Sequence, residues 1–163
     1  ESKPTFKKGE KSNGISIIQM SSDKECFIFQ MRHISDATVL GKIIAHPHIF
    51  KIGVGLKDDL NKLRLMFKCQ PKAFIDLGTI FRSIGRRNSV GSKQLVALVL
   101  NQKLRKSKRA TTSNWAVERL SPLQIEYAAD DAFSSIDVYL RLREKLKSHT
   151  SVMEPGLLKL LNL

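Results

Sequence analysis

Cysteine and long apolar runs are both scarce in this sequence. Only Cys26 and Cys69 occur among 163 residues, and neither belongs to a group with the spacing of a metal site. We therefore predict reduced thiols and no disulfide framework. No apolar run reaches the roughly 18 residues of a membrane span, and the polar stretch from Glu1 to Ser12 does not resemble a secretory signal. These absences predict a cytoplasmic protein that is neither secreted nor bound to a membrane.

Two common kinds of site lack the residues that they need. The histidines do not combine with the cysteines at zinc-binding spacing, so the sequence predicts no zinc site. The segment from Gly53 to Gly55 has no third glycine at the required place and no following Lys-Ser or Lys-Thr pair, which excludes a phosphate loop. A close-packed turn is the better interpretation of these two glycines.

Acidic residues are few beside basic ones. The chain has 15 Asp and Glu residues against 28 Lys and Arg residues, so its formal net charge is +13. Solubility needs far less charge, and a polyanion is the natural partner, although charge alone does not separate nucleic acid from an anionic membrane or an acidic protein. In the densest basic cluster, we expect Lys106, Lys108 and Arg109 to contact phosphates; an ordinary solvated loop is the alternative.

The length allows one domain with a proper core. Strands are predicted near residues 15–20, 26–29, 50–54 and 74–77, the first two as an antiparallel hairpin, and they alternate with helical patterns, which is typical of an α/β domain. One helix is predicted after Ser35 as a possible N-cap and another over residues 91–100, and the basic stretch 101–115 is predicted as a mobile loop. We predict one domain over residues 1–147 and a tail over 148–163 that carries a short apolar helix.

The strongest helical pattern runs from Leu120 to Leu142. Ser121 is a suitable N-cap, and proline follows it at the first helical position. Tyr127 and Asp131 are four residues apart, so they lie on one face of this helix. We expect its buried face to contain Leu123, Ile125, Ala129, Ala132, Ile136 and Leu140. A carboxylate on such a helix needs a hydrogen bond, a basic side chain or a metal ion as a partner.

Three acids occur where α/β proteins commonly place functional groups. Glu1 precedes the predicted hairpin, Asp59 follows a strand-to-helix turn, and Asp131 lies on the long helix. Carboxylates are the hard oxygen ligands that magnesium and manganese prefer. Two such ions about 3.5 to 4 Å apart can stabilise both the attacking and the leaving oxygen of a phosphodiester. The sequence thus favours a phosphodiester as the substrate of a metal site.

These residues resemble a known family. KIGVGLKDDLNKL and IEYAADDA are similar to the second and third motifs of the DEDDy class of 3′→5′ exonucleases, the group that contains ribonuclease D and the Werner syndrome exonuclease domain. The similarity extends from ESKPTFKKGE at the start to SNW at residues 113–115. It implies a ribonuclease H-like fold, with a mixed sheet flanked by helices, and hydrolysis from the 3′ end of single-stranded DNA or RNA.

The resemblance also implies roles for individual residues. Glu1, Asp59 and Asp131 would hold two Mg²⁺ or Mn²⁺ ions, and Tyr127 would hold and help deprotonate the attacking water. The family pattern has an Asp two positions before Glu1, on a central first strand, and this sequence does not contain it. We expect that the chain is part of a longer protein in which this strand lies upstream.

Other interpretations remain open at this stage. The same fold could bind nucleic acid without hydrolysing it, and a basic protein-interaction domain that uses residues 157–163 for oligomerisation is a third possibility. Tyr127 and Asp131 could be ordinary core residues, and Asp59 could be a helix-capping residue, a role for which Asp58 is equally suited. Trp115 is better interpreted as a packing anchor than as a platform for a nucleic-acid base.

Overall fold

The computed structural model describes residues 1–2, 14–83 and 89–147, so the predicted tail at 148–163 lies outside the described residues. Strands and helices alternate along the described chain, which confirms the predicted α/β class. The elements are β1 (Ile17–Ser21), β2 (Cys26–Gln30), α1 (Thr38–Ala45), β3 (Lys51–Gly53), α2 (Lys57–Phe67), β4 (Phe74–Asp76), α3 (Leu77–Ser83), α4 (Ser92–Leu95), α5 (Lys108–Thr111) and α6 (Pro122–Leu146).

The strands form two pairs. β1 and β2 make the predicted antiparallel hairpin, and β3 pairs with β4 in parallel. The first two residues lie along the edge of β1 that is opposite β2. Ser2 makes an antiparallel bridge with Ile15, while Glu1 accepts a bond from the amide of Ile17 (3.2 Å) and its amino group donates to the carbonyl oxygen of Ile17 (3.1 Å). Glu1 is therefore fixed through its backbone.

Helix α6 begins where the sequence predicts. The hydroxyl of Ser121 accepts a bond from the Gln124 amide (3.3 Å), and the Gln124 side chain accepts one from the Ser121 amide (3.0 Å). This reciprocal capping box, with Pro122 at the first helical position, satisfies amides that the helix itself leaves free. The helix continues for 25 residues and packs against β1, β2 and β3. It therefore joins the two strand pairs.

The buried face of α6 differs from the predicted one. Leu123, Ile125 and Leu140 were expected in the core, but they are 37%, 47% and 43% exposed. That part of the prediction is wrong, because α6 carries apolar side chains on more than one side. The residues of α6 that are buried are instead Gln124, Tyr127, Ala128, Ser134, Ser135, Val138, Tyr139 and Leu142.

Two clusters of buried residues lie along α6. The first joins β4, α3 and α4 to its C-terminal half and includes Ile75, Leu77, Ile80, Leu95, Val138 and Leu142. The second joins β1 and α5 to its N-terminal half and consists of Ile17, Ala110, Trp115, Tyr127 and Ala128. Trp115 is 1% exposed, which agrees with its predicted role as a packing anchor. The second cluster thus fixes Tyr127 from several directions.

Some boundaries differ from the sequence predictions. The basic stretch predicted as a mobile loop contains α5, whose N-cap hydroxyl on Ser107 accepts a bond from the Ala110 amide (3.3 Å). Asp36, and not Ser35, accepts the bond from the first amide of α1 (2.8 Å). The helix predicted at 91–100 changes from α to π geometry after Leu95. In the part of the chain that the structure describes, no helix combines the length and apolarity that a membrane crossing requires.

Candidate active site

A groove of about 360 Å³ lies between the two strand pairs, with α6 along one side. Its lining contains residues of β1, β3 and the middle of α6. Glu1, Asp59 and Asp131 all line this groove. They come from the first residue, the first turn of α2 and the middle of α6. The structure thus brings together three acids that are separated by 58 and 72 residues in the sequence.

The other two acids influence Glu1 electrostatically. Burial raises the pKa of the Glu1 carboxyl. The negative charges of Asp131 and Asp59 raise this pKa further, and the positive charge of Lys106 lowers it; the net shift is upward. Glu1 therefore lies within the electrostatic range of both other acids and of one lysine.

The donor atoms in the groove suit a divalent cation. Carboxylate oxygens are the ligands that Mg²⁺ and Mn²⁺ prefer. However, over residues 1–2, 14–83 and 89–147, no three His, Cys, Asp or Glu side chains are close enough together to form a complete metal cage. The three acids are thus of the right chemical type for a metal site. Among the described residues, however, they are not close enough together to surround an ion on their own.

Lys106 is only partly exposed, and it contacts two of the predicted site residues. Its ammonium group forms an ion pair with Asp131, and it also lies 5.6 Å from the centre of the Tyr127 ring. Lys108 and Arg109, which were predicted with it to contact phosphates, are exposed on α5. The three basic residues therefore occupy two different environments.

Tyr127 has its ring buried and its hydroxyl held. The residue is 7% exposed, and its ring packs against Trp115 with centroids 5.8 Å apart. The Oγ1 atom of Thr111 lies 3.3 Å from the Tyr127 hydroxyl and 3.0 Å from the carbonyl oxygen of Ser107. Helix α5 thus contributes a hydrogen-bonding group that fixes the phenol. Sequence reasoning did not identify Thr111, because no local pattern links it to a residue 16 positions away.

Comparison with known proteins identifies the family. Residues 1–147 match the family described as 3′-5′ exonuclease. The chain belongs to the 3′-5′ exonuclease family. This result confirms the family that the second and third motifs of the sequence resemble.

Two curated relatives illustrate the level of similarity. The protein R431 of Acanthamoeba polyphaga mimivirus, named as a 3′-5′ exonuclease, is 32% identical over 146 residues, which cover 82% of this chain and 37% of that protein. The bifunctional 3′-5′ exonuclease/ATP-dependent helicase WRN of Mus musculus is 31% identical over 145 residues, which cover 85% of this chain and 10% of that protein. The chain thus spans about a third of the first and a tenth of the second.

Solved structures of exonuclease domains have the same fold. The Nibbler EXO domain of Aedes aegypti superimposes with a TM-score of 0.78 at 26% identity and covers 99% of this chain and 83% of that chain. Trypanosoma brucei RNase D, solved in complex with RNA U12, gives a TM-score of 0.75 at 19% identity. The match covers 87% of this chain and 52% of that chain. These neighbours confirm the predicted ribonuclease H-like fold.

The structure shows a further residue near the site, Gln124, that sequence reasoning missed. Gln124 is 6% exposed, and its Nε2 donates to the Ser113 hydroxyl (3.1 Å) and to the carbonyl oxygen of Asn114 (3.1 Å). These bonds fasten the segment that carries Trp115 to the start of α6. The capping pattern Ser-x-x-Gln was the available signal for Gln124, but it predicts only the bonds within the helix.

Proposed function

We propose that this chain is the catalytic domain of a metal-dependent 3′→5′ exonuclease, which hydrolyses phosphodiester bonds from the 3′ end of a nucleic acid. One observation supports this most: Glu1, Asp59 and Asp131 line a single groove although they come from three separate parts of the chain. A concentration of acids is unusual in a chain of net charge +13, and a divalent cation offsets the repulsion between these acids and a phosphate.

In this proposal, Glu1, Asp59 and Asp131 hold two Mg²⁺ or Mn²⁺ ions. When bound, such ions stabilise negative charge at the reacting phosphate and make water more acidic. Tyr127 orients the attacking water through its hydroxyl, which its contacts with Thr111 and Trp115 keep in place. Lys106 adds a positive charge beside Asp131 and partly offsets the charge of the substrate.

We further propose that the fourth acid of the family pattern comes from residues that precede Glu1. Glu1 and Ser2 already run antiparallel to β1 along the edge that faces away from β2. Continuing this pairing would extend a strand along the groove between β1 and β3. Residues two apart on a strand point to the same side, so an acid two positions before Glu1 would lie beside it.

The proposed substrate is single-stranded DNA or RNA. The net charge of +13 and the exposed basic residues of α5 favour a polyanion. The likeness to an RNase D that was solved with bound RNA supports the same class of partner. Separate assays with DNA and RNA of the same sequence decide between them, because only RNA has a 2′-hydroxyl to recognise.

The test uses the full-length protein with a 5′-labelled single strand and Mn²⁺. We expect stepwise shortening from the 3′ end, and we expect Asp131→Asn to slow it at least about 100-fold, or about 2.7 kcal/mol of transition-state stabilisation. Asp130→Asn is the matched control, because Asp130 directly precedes Asp131 on α6 but does not line the groove. It should retain nearly wild-type activity. Thermal unfolding of both variants checks that the fold is intact.

A second candidate function rests on the incomplete arrangement of ligands. Because the described residues contain no closed three-ligand cage, the fold could bind nucleic acid without cutting it. If the wild-type protein binds the labelled strand but does not shorten it at any Mn²⁺ concentration, the binding function replaces the nuclease. Equal activity of Asp131→Asn and the wild type would also contradict the nuclease proposal.

A further inference from the structure

Asp76, the last residue of β4, uses its carboxylate to hold the turn that leads into α2. Its Oδ1 accepts a hydrogen bond from the Gly55 amide (3.0 Å), and its Oδ2 accepts one from the Leu56 amide (3.0 Å). Oδ1 also accepts a bond from the Gly78 amide (2.9 Å). Hydrogen bonds to a charged acceptor are stronger than those between neutral groups, so three of them restrain this turn firmly.

Helix α2 has no capping side chain of its own. Its N-cap residue is Leu56, and no side-chain bond caps the helix at that position. Gly55 adopts a φ of +72°, a left-handed conformation that favours glycine, and this turns the chain toward α2. The parallel register places Gly53 opposite Asp76, so the carboxylate lies where β3 ends. Asp76 therefore supplies, from a neighbouring strand, an anion at the start of α2.

The position of Asp76 is itself fixed by close packing. Thr79 donates a hydrogen bond from its hydroxyl to the Asp76 carbonyl oxygen (2.8 Å). A Cβ atom on Gly78 would lie 2.8 Å from the Val90 carbonyl oxygen and 3.2 Å from Asp76 Oδ1. A larger residue than glycine at position 78 would therefore push the carboxylate away. The end of β4 thus provides a rigid base for the contact with the turn.

The restrained turn directly precedes Asp59. Asp59 lies in the first turn of α2, three residues after Leu56, and its side chain is exposed and lines the groove. Because the helix is stiff, the direction in which α2 starts decides where the Asp59 carboxylate lies relative to Glu1 and Asp131. We propose that Asp76 is a positioning residue that holds Asp59 in place for binding a divalent cation. This inference rests on the proposed function.

The test measures Mn²⁺ binding to the full-length protein by titration calorimetry, without nucleic acid. Asp76→Asn keeps the size of the side chain but replaces one acceptor oxygen with an NH₂ group, which opposes a backbone N–H. We expect about tenfold weaker Mn²⁺ binding, as is common when a group that orients a metal ligand is altered. Gly55→Ala disturbs the same turn from the other side and should also weaken binding, so the test does not depend on one variant.

Two further measurements separate positioning from general stability. Leu95→Val leaves a small cavity in the buried cluster around α4 and alters neither Asp76 nor the turn. It should lower the melting temperature but leave Mn²⁺ affinity within about twofold of the wild type. If Asp76 acts through Asp59, then Asp76→Asn should cause no further loss of affinity in an Asp59→Asn protein.

The outcomes are distinct. Unchanged Mn²⁺ affinity in Asp76→Asn would overturn the positioning role while the proposed function stands. The same conclusion would follow if Asp76→Asn weakened binding as much in the Asp59→Asn protein as it does in the wild type. Similar losses of affinity in Asp76→Asn and Leu95→Val would show that Asp76 acts only through general stability. A wild-type protein that does not bind Mn²⁺ would overturn the proposed function, and this inference with it.

Discussion

At the scale of single residues, Lys106 connects the segment before α5 to the two proposed catalytic residues of α6. Its ammonium group pairs with Asp131 and lies over the Tyr127 ring, and its charge also lowers the pKa of Glu1. A positive charge among several carboxylates offsets their mutual repulsion. The same charge repels an incoming divalent cation. Lys106 therefore has two opposing effects on the site, which a substitution can separate.

We expect Lys106→Met to bind Mn²⁺ about fivefold more tightly at pH 7.5. Methionine keeps much of the length and the apolar part of the side chain but removes the charge. A partly screened ion pair of this kind is worth on the order of 1 kcal/mol. Titration calorimetry without nucleic acid measures the effect. The exposed Lys108→Met is the control and should bind Mn²⁺ like the wild type. Weaker binding by Lys106→Met would show instead that Lys106 is needed to hold Asp131 in position.

At the scale of secondary structure, Gln124 links the start of α6 to the segment before it. Its Oε1 accepts a bond from the Ser121 amide (3.0 Å), while its Nε2 donates to Ser113 and Asn114 (both 3.1 Å). One buried amide thus completes a helix cap and fastens the segment that carries Trp115. Because Trp115 packs on Tyr127, this link supports the position of the phenol.

Substitutions of Gln124 should separate these two tasks. Gln124→Glu keeps an acceptor for the Ser121 amide but loses the donors to Ser113 and Asn114, so we expect about 1 to 2 kcal/mol lower free energy of unfolding. Gln124→Ala also loses the cap and should cost about 2 to 3 kcal/mol. Denaturant unfolding measures both. The control is Gln102→Ala, at an exposed position, which should change the free energy of unfolding by less than about 0.5 kcal/mol. Equal effects of Gln124→Glu and Gln124→Ala would contradict separate roles for the two ends of the side chain.

The accuracy of the sequence predictions varies with the range of the interactions. Ser121, Pro122 and the four-residue separation of Tyr127 and Asp131 are local signals, and they predict α6 and its start correctly. The choice of its buried face is wrong because packing with β1 and β3 decides it, and the sequence does not specify which strands meet the helix. Helix α5 was missed because four residues are too few for a periodic pattern.

The contacts of the site were the least predictable. The Asp76 carboxylate accepts a hydrogen bond from the Leu56 amide, which is 20 residues away in the sequence. Lys106 forms an ion pair with Asp131, which is 25 residues away. No spacing rule relates such positions, because they meet only when the strands and helices pack. The three acids were predicted from their places in the α/β pattern, and the resemblance to a family supplied their roles. The groups that hold them follow from the three-dimensional structure alone.

At the scale of the whole molecule, the distribution of charge is uneven. The chain has a net charge of +13, yet three acids line the groove between the strand pairs. Lys108 and Arg109 are exposed on α5, which packs on α6, the helix that carries Asp131. A nucleic-acid strand whose end lies in the groove would pass near α5. The positive charge of α5 should therefore hold phosphates while the groove receives the terminus.

This arrangement predicts how binding depends on salt. For a single strand, the logarithm of affinity falls against the logarithm of salt concentration with a slope of about −0.7 per phosphate contacted. The double variant Lys108→Gln and Arg109→Gln should therefore reduce the slope by about 1.4, as measured by fluorescence anisotropy with the full-length protein in EDTA. The matched control is Arg141→Gln with Lys147→Gln, which removes two exposed charges from the far end of α6. Lys147 lies 16 residues, or about 24 Å, beyond Asp131 along the helix.

The control variant should leave the slope nearly unchanged, because its charges lie beyond the reach of a strand that ends in the groove. A Debye length of about 10 Å at 0.1 M salt limits the influence of the remote pair. If both double variants reduce the slope equally, the net charge of the molecule and not the position of α5 governs binding. In that case Lys108 and Arg109 are ordinary solvated residues, and the path of the strand must be sought elsewhere on the surface.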